Sequence, residues 1–350
     1  MEQFVWASRY LGSRFDLVQA GGGNTSVKSE ATLVVKASGL SIGDISHDTG
    51  YATLSLEVLR QKLFALLASN WRGKTKQELE AIGKDLLEEA SRGEGRPSIE
   101  TFLHAVFKKY TLHTHPVAVN SFVGSESGFQ RLKELYPSAY FADYATPGVE
   151  LLLTMGEVVR KTETTEGPVV VFLKNHGLLV SSNNASEAVA LTDSISSDLA
   201  SLAGLSFAEF RKAGDLFSLL YQHFGILDPT CAVMDPQLNE AILAHAARPL
   251  VHFCPDVFIY MGYAVFPLDQ GVDGLIEYQR TFGALPSIFV SDGLTLIRAK
   301  SYKKLKETED MLRFYVMVNS AQLQHQVSGL DRDEIAYLGN WDAEKFRQGV

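Results

Sequence analysis

The sequence predicts a mixed α/β protein, with a larger α/β domain over residues 1–228 and a smaller α+β unit over residues 229–350. Three observations carry that reading. Thr32–Ala37 and Pro168–Leu173 read as buried strands, and they alternate with helical spacing over Leu54–Ala68 and Gln77–Ala90. Asp228-Pro229-Thr230 through Asp235-Pro236 reads as a linker, and the character of the chain changes after it. Past the linker, Ser287–Ile297 carries Asp292-Gly293 at its centre, a hairpin signal.

Each element follows from local pattern. Residues 2–18 space Phe4, Val5, Ala7, Tyr10, Leu11, Phe15 and Leu17 as an opening helix would. It runs into Gly21-Gly22-Gly23-Asn24. A glycine run lets the backbone approach a ligand closely, and its successive N–H groups can converge on an anion. By itself such a run reads first as a flexible turn, and a glycine run alone is weak evidence for an anion site. Ser38-Gly39 follows the Thr32–Ala37 strand, so a strand pair would bring both glycine turns to one sheet end, with Lys36 as a source of positive charge. Ser98 is a candidate N-cap after the Gly93–Pro97 loop. Glu100 then falls in the first turn of a helix running to about Lys109, where a glutamate commonly just complements the helix dipole. His104, one turn later, reads as a core histidine.

Val117–Val123 and Gly128–Leu135 read as short helices, Ala139–Tyr144 as a strand closed by Ala145–Gly148, and Glu150–Lys161 as a helix. Pro168–Leu173 and Leu178–Ser181 form a tight hairpin with His176 near its tip. Ala185–Leu202 and Phe207–Phe224 are long helices expected to cover the sheet. In the C-terminal unit, Gln237–Ala247 and Tyr302–Gln326 read as helices, and Asp256–Tyr260 and Ala264–Pro267 as strands.

The chemistry centres on Tyr110-Thr111-Leu112-His113-Thr114-His115-Pro116. In a strand, alternate side chains share a face, so His113 and His115 project together. Pro116 cannot continue a central ladder, which puts the pair at a strand end. Two adjacent imidazoles can share one divalent metal. With His176 they make a three-histidine set with open coordination positions, the arrangement of a catalytic rather than a structural zinc site. Glu100 can reach such a metal or a substrate proton. That combination suits enolisation: a Lewis acid on a carbonyl, and a carboxylate that moves the proton.

Composition removes other classes. The net charge is −9 and no dense Lys/Arg run occurs, which argues against nucleic acid or an anionic membrane as main partner. A small anionic substrate remains compatible. Cys231 and Cys254 are too few for a disulfide framework and match no zinc spacing, so reduced thiols in a cytoplasmic protein are expected. Met1–Trp6 lacks the pattern of a signal peptide, and no transmembrane span is evident.

Taken together, Gly23-Asn24, Ser38-Gly39, Ser98-x-Glu100, His113-x-His115-Pro116, Ala145-Thr146-Pro147-Gly148 and Asn175-His176-Gly177 resemble the class II aldolase/adducin family over roughly residues 1–225. The Arg96–Glu100 stretch and the tail after 230 look closest to the aldolase half of bifunctional rhamnulose-phosphate aldolase/dehydrogenase proteins. The resemblance implies an α/β/α sandwich around a mainly antiparallel sheet. It implies zinc, or another divalent metal, on His113, His115 and His176, with Glu100 as catalytic acid/base. It puts Gly23, Asn24, Ser38, Gly39 and Ser98 at phosphate-binding places. It also implies a zinc-dependent aldolase acting on a sugar phosphate or related sugar acid, in a homo-oligomer, commonly a tetramer. Epimerase, decarboxylase and dehydratase variants share the same enediolate. A non-catalytic, adducin-like interaction protein is the alternative from another class, and retention of all three histidines argues against it.

Two departures stand out. Gly21 replaces a threonine, and Ile99 replaces a second serine, of the fuculose-phosphate enzymes. Two side-chain donors to phosphate are thereby lost, which shifts the task to backbone N–H groups and to Lys28 or Lys36. The family's tyrosine proton donor has no clean match; Tyr136 and Tyr140 are near in sequence and neither is assigned.

Overall fold

A computed structural model describes residues 1–245, 250–321 and 327–340. The chain forms two compact units, Met1–Phe207 and Ala208–Val350.

The first unit is built on seven strands: β1 (Asn24–Lys28), β2 (Thr32–Lys36), β3 (Tyr51–Ser55), β4 (Tyr110–Thr114), β5 (Tyr140–Ala142), β6 (Val169–Leu173) and β7 (Gly177–Ser182). Their order across the sheet is β3-β2-β1-β4-β7-β6-β5. Every pairing is antiparallel except that of β5 with β6. Helices Glu2–Gly12, Val117–Val123 and Ala185–Leu202 cover one face. Helices Leu56–Ala68, Lys76–Ala90, Thr101–Val106 and Val149–Thr154 share a core with Leu33, Leu54, Val171 and Leu179 on the other. The expected sandwich around a mainly antiparallel sheet is present.

β1 escapes a periodicity reading because Asn24-Thr25-Ser26-Val27-Lys28 is almost wholly polar and yet buried. Its polar groups find partners on both faces. Thr25 Oγ1 lies 2.7 Å from Ser8 Oγ of the first helix. Ser26 Oγ lies 2.8 Å from His104 Nδ1 on the opposite face. Lys28 Nζ donates to the His104 carbonyl and, at 3.4 Å, to Thr111 Oγ1. A buried polar group costs little only when so paired.

Several expectations are corrected. The opening helix stops at Gly12, and residues 13–18 form no helix or strand. Leu54 lies in β3, and the next helix starts only after Ser55, whose Oγ accepts from the Val58 N–H at 3.4 Å. The helix after Glu100 spans only Thr101–Val106. The stretch 150–161 divides at Met155 into Val149–Thr154 and Gly156–Thr162.

The second unit holds helix Ala208–Phe224, β8 (Thr230–Ala232), β9 (Phe266–Pro267), β10 (Ile288–Ser291) and β11 (Leu294–Arg298), with the order β8-β11-β10-β9. The division falls ahead of the expected 228 for a packing reason. Ala213, Leu216 and Leu220 of that helix join Phe266, Phe289 and Leu296 in one apolar cluster, so the helix serves this unit. The stretch read as a linker contains β8, which pairs with β11. Asp256–Tyr260 is helical, within Pro255–Met261: proline at the first position and an acid in the first turn favour a helix start over a short strand. The hairpin across Asp292-Gly293 is as expected. The helix expected over 302–326 stops at Asn319, with Ser320 as its C-cap, and the expected C-terminal end of helix 237–247 lies outside the described residues. Cys231 and Cys254 are free thiols. Among the described residues no helix is long and apolar enough to cross a membrane.

Lys28 offers a test of the core. Burial, and next the charge of Arg60, push its ammonium well below the ordinary lysine value. Between that lowered value and the ordinary one, the unfolded chain holds the extra proton, so stability rises with pH. Lys28→Met is expected to remove that part of the slope, at most about 1.4 kcal/mol per pH unit. Urea denaturation of both proteins from pH 7 to 10 measures it; equal slopes would contradict the assignment.

Candidate active site

β4 lies between β1 and β7, and His113 pairs with Asn24 on one side and Leu179 on the other. Its ring is fully buried, and Nδ1 lies 3.0 Å from the Leu178 carbonyl. A carbonyl only accepts, so Nδ1 carries a proton and donates it there, leaving Nε2 with its lone pair in the neutral ring. His115 follows the last ladder pair, Thr114 with Leu178, and its backbone N–H donates to the Leu17 carbonyl at 3.1 Å. His176 occupies the loop that the Leu173–Gly177 pair closes, next to Asn175 at φ +53. Asparagine tolerates that left-handed conformation better than most residues.

The three Nε2 atoms converge. His113 lies 3.1 Å from His115 and 3.2 Å from His176, and the three donors sit within 4.8 Å of one another. Zn–N bonds of about 2.0–2.1 Å in a tetrahedron imply donor edges of about 3.3 Å. The donor type, the fixed tautomer of His113 and the spacing therefore fit a divalent cation of the zinc class.

Glu100 stands beside them. It precedes helix Thr101–Val106 but does not cap it. Its Oε1 lies 2.9 Å from His176 Nε2 and 3.4 Å from His113 Nε2. Its Oε2 accepts from Asn24 Nδ2 at 2.5 Å. Burial favours the neutral acid, but the facing His113 and His176 rings outweigh it and hold the carboxyl below the usual range. For His113, burial opposes the charged ring, but Glu100 outweighs it and raises the pKa. Burial, reinforced by the neighbouring imidazoles, drives His115 down to about 3, so that ring is neutral. In this arrangement positive charge is welcome between the carboxylate and the rings.

The glycine turns approach the same end. Gly23 has φ +63, and a Cβ there would lie 2.7 Å from the His113 carbonyl oxygen. A Cβ on Gly22 would lie 2.9 Å from His115 Nδ1. Ser38 and Gly39 are exposed, and the Ser38 N–H donates to the Arg96 carbonyl at 2.8 Å, which ties their turn to the loop before Ser98. Lys36 Nζ donates to the Gly21 carbonyl at 2.9 Å and to the Leu40 carbonyl at 2.5 Å, joining the two turns. Burial lowers its pKa, opposed by the carboxylates of Glu100 and Asp44. Ser98 is not the expected N-cap: its Oγ accepts the Glu100 N–H at 3.3 Å, outside the helix proper.

The structure thus brings Glu100, Asn24, Gly23, His113, His115 and His176 into one cluster. Ser98 reaches it through Glu100, and Ser38 and Gly39 lie on the neighbouring turn. Asn24, expected at a phosphate, faces Glu100, and its Oδ1 is buried without a partner among the described residues. Tyr136 stacks near Phe172 and the Tyr140 hydroxyl meets Thr165 Oγ1 at 3.2 Å, so both are engaged elsewhere. The glycine run, expected to let the backbone approach closely, does so at Gly22 and Gly23. The segment around Leu17 is not legible in the sequence, where its one signal is an Arg-x-Asp in an otherwise apolar stretch.

Comparison with known proteins follows this geometry. The class II aldolase and adducin N-terminal domain matches residues 2–197. An uncharacterized oxidoreductase, YuxG of Bacillus subtilis, is 26% identical over 190 residues; the match spans 51% of this chain and only 26% of that protein. A class II aldolase domain from Thermoplasma acidophilum is 28% identical, with 57% of this chain and 92% of that chain covered and a TM-score of 0.47. L-fuculose-1-phosphate aldolase from Thermus thermophilus is 15% identical, with 64% and 100% covered and a TM-score of 0.37. With the domain match extending over more than half of its length, the chain belongs to the class II aldolase and adducin family.

Proposed function

We propose that this protein is a zinc-dependent aldolase that cleaves a ketose phosphate or a related sugar acid through an enediolate. The observation that carries the reading is the convergence of three Nε2 donors with the Glu100 carboxylate 2.9 Å from one and 3.4 Å from another. His113, His115 and His176 would hold the cation. Bound there, it polarises a substrate carbonyl and lowers the cost of negative charge on its oxygen.

The chain's own residues supply the rest. In the cleavage direction Glu100, kept as a carboxylate by the rings it faces, takes the proton of the hydroxyl on the carbon β to the carbonyl as the Cα–Cβ bond breaks and the aldehyde leaves. It then returns that proton to the α-carbon of the enediolate. Asn24 fixes Oε2, which leaves Oε1 as the oxygen turned to the rings. The unpartnered Asn24 Oδ1 is an acceptor for a substrate hydroxyl, in keeping with a polyol. Lys36 and the backbone N–H groups of the turns carrying Gly23 and Gly39 provide positive potential for an anion, with the Ser38 and Ser98 side chains alongside. A homo-oligomer and a cytoplasmic setting complete the proposal. A 4-epimerase, keto-acid decarboxylase or dehydratase would use the same groups, so substrate decides among them. A screen of metal-loaded protein against phosphorylated and free ketoses and 3-keto acids, scoring aldehyde and carbon dioxide release, tests the reading; release of neither would overturn it.

Three variants sharpen it. Glu100→Gln is expected to retain metal while slowing exchange of the substrate's α-proton by about 10²–10⁴-fold, read by NMR in deuterated water. His176→Ala should lower zinc content sharply by elemental analysis, and unchanged content would remove it from the ligand set. Lys36→Met should raise KM for a phosphorylated substrate more than for its unphosphorylated counterpart; an equal effect on both would assign Lys36 to turn structure alone.

A further inference from the structure

We propose that the buried Arg14–Asp16 pair is a positioning device for the ligand His115, acting through the backbone carbonyls of Asp16 and Leu17. The inference rests on the metal-site reading above. The three histidines are held unequally. His113 sits inside two ladders, and His176 in a loop closed by a strand pair. His115 lies past the last ladder pair, and Pro116 beside it has no N–H to offer. What holds this backbone is the segment before the glycine turn. The His115 N–H donates to the Leu17 carbonyl at 3.1 Å, and the Val117 N–H to the Asp16 carbonyl at 2.9 Å.

That segment has no regular structure of its own. Its anchor is a side-chain network. Arg14 is 2% exposed and Asp16 fully buried. Arg14 Nε and Nη2 each donate to one Asp16 carboxylate oxygen at 2.7 Å, a bidentate pair. Arg14 Nη1 donates to the Tyr10 hydroxyl at 3.1 Å and to Asp193 Oδ1 at 3.2 Å. The Tyr10 hydroxyl donates to Asp193 Oδ2 at 2.5 Å. The network thus links helices Glu2–Gly12 and Ala185–Leu202 to the two carbonyls that hold His115.

The test uses the full chain and reads metal binding rather than turnover. Zinc affinity is measured by competition with a chromophoric chelator, and ligand geometry by the absorption bands of the cobalt-substituted protein. Asp16→Asn is expected to weaken zinc binding about tenfold or more, in the range of other outer-sphere changes at metal sites, and to alter the cobalt bands. Combined with His115→Ala, it should cause no further loss, because the ligand it positions is gone. Asp228→Asn disrupts the part-buried pair with Arg298, 2.6 Å apart in the second unit, and should leave zinc affinity unchanged. If Asp16→Asn does not fold, Tyr10→Phe, which removes the hydroxyl link to Asp193, enters the same cycle. Unchanged affinity and cobalt bands in the folded variant, or equal losses with and without His115, would overturn the positioning role. Wild-type protein that takes up neither zinc nor cobalt would overturn the metal site itself, and the positioning role with it.

Discussion

His113 is gripped from both sides, by the Asn24 backbone of β1 and the Leu179 backbone of β7, while its ring hydrogen-bonds the Leu178 carbonyl. The site depends on this double ladder. Pleat geometry then turns His115 to the same face, and the β6–β7 hairpin delivers His176 from the neighbouring strand. Because β1 also carries Asn24, the same pairing that places His113 places the partner of Glu100. Once the sheet has formed, His113 and the hairpin carrying His176 have few degrees of freedom left, while His115 takes its backbone hold from Leu17.

The electrostatics follow from enclosure. A buried carboxylate among imidazoles is costly unless positive charge lies between them. The raised pKa of His113 and the lowered one of Glu100 express the same demand. His115 and the buried Lys36 show the opposite pull, with burial lowering both pKa values. The region therefore combines three imidazoles, one carboxylate, and a lysine fixed between the glycine turns.

Much of this was legible in the sequence, for physical reasons. The histidine strand announced itself because a period of two and a terminal proline have one geometric meaning. The Asn175-His176-Gly177 turn did so because it interrupts two apolar β-branched runs. Glu100 was ambiguous, since an acid at a helix start is ordinary; only its contacts with His176 and His113 distinguish it. β1 was invisible, because its burial is supported by hydrogen bonds rather than by apolar alternation. The helix Ala208–Phe224 is legible as a helix, but its apolar face does not say which core it joins. The 13–18 segment was read as helix from its hydrophobic spacing, and the Arg14–Asp16 pair that fixes its shape has no periodic signature.

The polar face of β1 has one more consequence. Asn24, Ser26 and Lys28 share that face and fasten, respectively, to the Glu100 carboxylate, the His104 ring and the His104 carbonyl. Apolar contacts tolerate sliding, whereas hydrogen bonds at fixed intervals do not. A slip of a single residue would turn all three inward groups to the far face and strand their partners in a dry interior. β1 thus behaves as a ratchet with one seated notch, so that a correctly threaded sheet and a correctly placed carboxylate arise in the same event.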